Sequence, residues 1–140
     1  MSPVVYFALF FTVALLVTTA YFMMGSLPLL ILKHDTPVDA RFIRGFFNTS
    51  YLAAMGVAIP AAASYALWGR AAFALGAAAI ALAAAVLRRK VLSAMDQLRA
   101  EIPSSREDAV RRFRRVHATA ILINLLQLVL IVWSLTTFRL

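Results

Sequence analysis

Cysteine is absent from the 140 residues, which excludes disulfide scaffolds, zinc ribbons, iron–sulfur centres and thiol-based redox enzymes. Charge is scarce: 14% of residues are Asp, Glu, Lys or Arg, against ~25% in an ordinary soluble domain. Acids are scarcest, 6 against 14 basic residues, for a net charge of +8. Internal repeats, P-loops, GxGxxG, HExxH and serine-nucleophile motifs are all missing. What remains is apolar, 63% of the chain with a mean hydropathy of +0.84, a balance that points to lipid as the solvent.

Four charge-free runs carry that apolar content. They predict spans over residues 4–32, 45–69, 71–87 and 118–138, since a helix needs ~20 apolar residues to cross the hydrocarbon core. None shows the polar–apolar alternation of a membrane barrel strand. The first run lacks a positive segment before it and is about twice an ordinary signal-peptide core, so it reads as a mature helix. Lys33, Arg41 and Arg44 lie between the first two spans. Arg88, Arg89, Lys90, Arg99, Arg106, Arg111, Arg112, Arg114 and Arg115 lie between the last two, leaving only Arg70 and Arg139 on the other side. The positive-inside rule then places both long connections in the cytoplasm and both termini outside a bacterial-type inner membrane. The excess of positive charge is thus a topology signal, and basic residues facing anionic lipid headgroups account for it without nucleic acid as a partner.

Pro28 predicts a bend near Ser26, and Pro60 another in the second span. Tyr65, Trp68, Trp133 and Phe138 read as anchors at the outer interface. In the third span Ala72 and Gly76, followed by Ala77, Ala81 and Ala85, form small-residue rows that let helices approach closely. Between spans three and four, Leu92, Met95, Leu98 and Ile102, then Val110, Phe113 and His117, recur every three or four residues. Pro103-Ser104-Ser105 separates the two stripes, and Ser104 with Glu107, or Ser105 with Asp108, has capping-box spacing. Residues 88–116 therefore read as a cytoplasmic helical hairpin that extends the third and fourth helices. The fold class is an all-α, integral membrane four-helix bundle in a single domain.

No Asp, Glu, Lys or Arg lies in the central part of any span, which argues against a proton-driven exporter, because such pumps bind the coupling ion on an intramembrane ionisable group. His34 and His117, near the same membrane boundary, are the only imidazoles and could meet at a metal if their helix ends were adjacent, with Asp35 as a third ligand. A helix cap or headgroup-zone residue is the simpler reading of each, so no metal is assigned. His117, Asn124 and Gln127 share one face of the last helix, and Gln127 lies roughly 15 Å deeper than His117. Asn48, Thr49, Ser50 and Tyr51 stand near the same end of the second span. Asn48, Tyr51, His117, Asn124 and Gln127 are the candidate lining of a polar pocket open to the cytoplasm, with interhelical hydrogen bonding as the simpler use of the same residues.

The stretch Arg112-Phe113-Arg114-Arg115-Val116-His117-Ala118-Thr119-Ala120-Ile121-Leu122-Ile123-Asn124-Leu125-Leu126 resembles the start of the last helix in the anthrone-oxygenase-like family of small four-helix membrane proteins. The resemblance implies the same four-helix membrane fold and carries over His117 and Asn124. Val116 and Ala120 stand where some members have Asn and Arg. Two functions fit the sequence. One is a non-enzymatic accessory or scaffolding subunit, a homo-oligomer or part of a larger membrane complex, holding a lipid or quinone-like molecule. The other is a membrane oxygenase or oxidoreductase acting on a polycyclic or quinone-like substrate, with His117 as acid/base and Asn124 orienting the substrate. The sequence names no cofactor.

Overall fold

The computed structural model describes residues 2–32, 36–101 and 106–137. Four helices make up the fold: α1 (Pro3–Leu29), α2 (Pro37–Leu67), α3 (Ala71–Glu101) and α4 (Arg106–Thr136). No strand occurs among the described residues. All four helices are long and apolar enough to cross a membrane. Each packs on its neighbour in sequence and α1 closes against α4. At 1.5 Å per residue α2, α3 and α4 each reach roughly 46 Å, well past a ~30 Å hydrocarbon core. The surplus of α3 and α4 is the helical extension expected from their apolar stripes.

The second helix begins earlier than its charge-free run suggests. Residues 37–44, expected to be connection, form the first turns of α2. The Thr36 hydroxyl accepts a hydrogen bond from the Asp39 N–H at 3.2 Å, Pro37 occupies the opening turn, and Asp39 places negative charge at the helix start. The extension past the apolar spans therefore has three helices where a hairpin of two was expected. Ile43 and Phe47 of α2, Leu92, Met95 and Leu98 of α3, and Ala109 and Phe113 of α4 share one buried cluster. Leu29 and Leu30 pack onto it from the end of α1.

α1 carries no charge and is apolar all round, yet its buried residues follow one seam: Val5, Ala8, Thr12, Leu15, Thr19 and Ser26. That is the alternating three- and four-residue spacing of a helix packed on its neighbours, with one step at the half-buried Phe22. Gly25 lies beside this seam, and a Cβ there would meet the Phe46 ring at 2.8 Å, so α1 and α2 approach closely at this level. Pro28 falls in the last turn of α1. Beyond it, successive i→i−3 bonds (Leu30 to Leu27, Ile31 to Pro28, Leu32 to Leu29) tighten the chain, so the proline marks the end of the helix.

Between α2 and α3 the chain reverses through Trp68, Gly69 and Arg70. Gly69 has φ +77°, its N–H bonds to the Ala66 carbonyl, and the Arg70 N–H bonds to the Tyr65 carbonyl at 2.9 Å. This pair of bonds is a Schellman motif, which needs a left-handed residue after the C-cap. The turn is furnished with rings: Tyr65 stacks on Trp68 and Phe73, and the Arg70 guanidinium lies 4.9 Å from the Trp68 ring centre.

Three substitutions test this arrangement by thermal unfolding of the detergent-solubilised chain. Phe113→Ala, at a fully buried position, is expected to cost about 3–5 kcal/mol, while Leu122→Ala on the exposed face of α4 should stay within about 0.5 kcal/mol. Gly69→Ala should cost about 1 kcal/mol, through left-handed strain alone, since no atom lies within 4 Å of its Cβ position.

Candidate functional site

The buried face of α4 carries Ala109, Phe113, His117, Ala120, Ile121, Asn124 and Ile131, with Gln127 half-buried on the same face. Its polar members face α1 and α2. Asn124 and Gln127 line a cavity together with Thr18, Thr19 and Phe22 of α1, Ser50, Tyr51 and Ala54 of α2, and Ala84 of α3. The cavity measures about 10 Å³, room for one water molecule. The Tyr51 hydroxyl is buried with no hydrogen-bond partner among the described residues. Gln127 donates to the Thr19 hydroxyl at 3.5 Å, a long bond that is correspondingly weak. A water in this space would have hydroxyl, amide and phenol groups around it, the polar partners a buried water requires.

Three of the five expected pocket residues thus converge: Tyr51, Asn124 and Gln127. The other two do not. Asn48 turns toward α3, where its Oδ1 accepts a hydrogen bond from Arg88 Nε at 2.9 Å. His117 is fully buried, its ring edge-on to Phe47 with centroids 5.2 Å apart and planes at 85°. By rise it sits roughly 10 Å from Asn124 along α4, and it is not part of the cavity wall. His34 and Asp35 lie outside the described residues, as do Ser104, Ser105 and Phe138. No group of three or more metal-ligating side chains occurs among the described residues.

Thr18, Thr19 and Phe22 were not singled out by the sequence. A signal was present: Thr12, Thr19 and Ser26 recur every seven residues on a helix with no charge. Thr12 donates to the Ala8 carbonyl at 2.8 Å and pairs with the Tyr65 hydroxyl at 2.7 Å. With its own proton committed to the carbonyl, Thr12 accepts from Tyr65. Tyr65, expected as an interface anchor, is instead a buried cross-link between α2 and α1, because this bond and the stacked Phe73 hold it inside.

At the basic end, five cations make hydrogen bonds or ion pairs among the described residues. Arg44 Nε meets Asp96 Oδ1 at 2.6 Å, with Arg99 at 3.8 Å from the same oxygen. Arg112 pairs with Glu101 at 2.5 Å, Arg88 holds Asn48, and Arg114 donates to the Leu32 carbonyl at 3.1 Å. The account of the basic clusters as topology and lipid contact alone is therefore too narrow for these residues. They tie α2 to α3, α3 to α4, and α4 to the end of α1.

Removing the two polar bridges should have unequal effects on thermal unfolding in detergent. Thr12→Val, which takes away the acceptor of a short buried bond, is expected to cost about 1 kcal/mol. Gln127→Leu should cost less than about 0.5 kcal/mol.

Comparisons with protein-family models, with curated proteins and with solved structures give no match to this chain.

Proposed function

We propose that this chain is a multi-pass protein of a bacterial-type inner membrane, with both termini outside, that acts as a non-enzymatic accessory or scaffolding subunit. The observation that carries the reading is what the polar residues do. Asn48 is engaged by Arg88, His117 is sealed against Phe47, and the space between Tyr51, Asn124 and Gln127 fits one water. An oxygenase of the kind implied by the anthrone-oxygenase resemblance needs His117 beside a substrate-sized opening. A quinone or lipid inside the polar centre would require the helices to part.

A scaffold needs a face for its partner, and α3 offers one. Only 11% of its most apolar window is buried. Ala77 and Ala84 pack inward, whereas Ala72, Gly76, Ala79 and Ala83 form an exposed row of small residues, with no atom within 4 Å of the Gly76 Cβ position. In lipid such a row favours close helix–helix contact, and a second copy or a larger membrane complex is the partner proposed for it.

Because the chain has no cysteine, single introduced thiols report orientation cleanly. Ser2→Cys should react with a membrane-impermeant maleimide in intact spheroplasts, and Ala100→Cys only after lysis. The reverse pattern overturns the orientation. For the scaffolding role, cross-linking in native membranes should capture the wild type in an oligomer or complex, and Gly76→Leu should weaken that capture. A wild-type chain that is monomeric in mild detergent and captures no partner in membranes defeats the proposal.

A further inference from the structure

An open groove of about 790 Å³ runs between α1 and α2 on the outside of the bundle at the basic end. Tyr21 and Phe22 form the α1 wall. Val38, Arg41, Phe42, Gly45, Phe46 and Thr49 form the α2 wall. Its volume is within the range of small-molecule sites, and it is separated from the small polar cavity on the inner face of α2 by Phe22, which lines both.

Three observations say what fits. The walls are aromatic over most of their length, and Phe22 and Phe46 meet edge to face at 5.3 Å. Gly45 leaves the floor open, with nothing within 4 Å of its Cβ position. The one cation in the lining is Arg41, an exposed residue that pairs with no carboxylate among the described residues, unlike Arg44 one turn further on. From Arg41 to Thr49 the groove follows α2 for about 12 Å, starting at the polar boundary and entering the apolar part of the helix. The polar side of Thr49 is turned away from a guest, since its hydroxyl donates to the Gly45 carbonyl. A guest must therefore be anionic at one end and hydrocarbon along the rest.

We propose that the α1/α2 groove is a binding site for an anionic phospholipid, its phosphate on the Arg41 guanidinium and an acyl chain along Phe42, Phe46 and Phe22 over Gly45. A guanidinium offers paired N–H donors to phosphate oxygens, and the rings offer a stiff apolar bed for the chain. The site needs the helices to cross a membrane, but it is independent of the scaffolding role and of the small-residue face of α3.

Native mass spectrometry of the full chain in detergent, titrated with phosphatidylglycerol or with phosphatidylcholine of the same acyl chains, tests this. Wild type should retain phosphatidylglycerol about fivefold better, the effect expected of one basic residue at an anionic surface. Arg41→Gln should abolish that preference. Arg89→Gln, the same change of charge at an exposed position on α3, should keep it. Gly45→Phe fills the groove and should lower retention of both lipids. The proposal is overturned if Arg41→Gln retains phosphatidylglycerol like wild type, if Arg89→Gln loses the preference equally, or if wild type does not distinguish the two lipids. Should Gly45→Phe fail to fold, the comparison of the two arginine variants decides alone.

Discussion

Inside a bilayer an apolar side chain gains nothing by leaving its solvent, so the force that packs soluble proteins acts only where the chain meets water. The distribution of side chains in this protein follows from that constraint. At the basic end, where three helices extend past the apolar spans, Ile43, Phe47, Met95 and Phe113 are completely buried. Toward the other end the buried hydrophobic cluster is smaller, Leu15, Ala58 and Ile131 with partly buried neighbours, and small residues such as Ala8, Ala61 and Ala77 fill much of the remaining interior. The extension supplies the hydrophobic stabilisation, and within the membrane close approach and hydrogen bonds hold the helices together.

The polar residues fit the same division. At the water-exposed end they are charged and cross-link helices through Arg44, Arg112 and their carboxylate partners. In the interior they are hydroxyls and amides, of which Thr12, Ser64 and Gln127 bond to a side chain of another helix or to a neighbouring backbone carbonyl while the Tyr51 hydroxyl faces the small polar cavity, because an unpaired polar group costs several kcal/mol in hydrocarbon. His117 lies between the two regimes. It is enclosed by aromatic packing just where the α4 row changes from apolar residues to Asn124 and Gln127. In that position the ring acts as part of the core.

The number of helices and the extension of α3 and α4 were legible from charge-free runs and apolar stripes. The start of α2 was hidden because Asp39, Arg41 and Arg44 look like connection, although Thr36-Pro37-Val38-Asp39 carries the chemistry of a helix start. The inner face of α1 could not be read from hydropathy, since Phe7, Phe10 and Val17 on the exposed side are as apolar as Val5 and Leu15 within. Size and hydroxyl content, in Ala8, Thr12, Thr19 and Ser26, distinguish the two faces. For the candidate site, the helical period correctly grouped Asn124 with Gln127. It could not separate them from His117, because occupancy of a cavity depends on Phe47 and Phe22, which arrive from other helices. The Asn48–Arg88 bond joins residues forty positions apart, and no local pattern announces it.

The turn at Gly69 bears on how the chain enters its membrane. Three residues join α2 to α3, the backbone groups at the bend are satisfied by the Schellman bonds, and the single charge there, Arg70, rests on the Trp68 ring. Two apolar helices linked this tightly present almost nothing hydrophilic to be carried across the lipid. In the orientation proposed above, the pair is suited to insert together as one hairpin during synthesis, with the highly charged segment that follows α3's apolar half stopping the transfer.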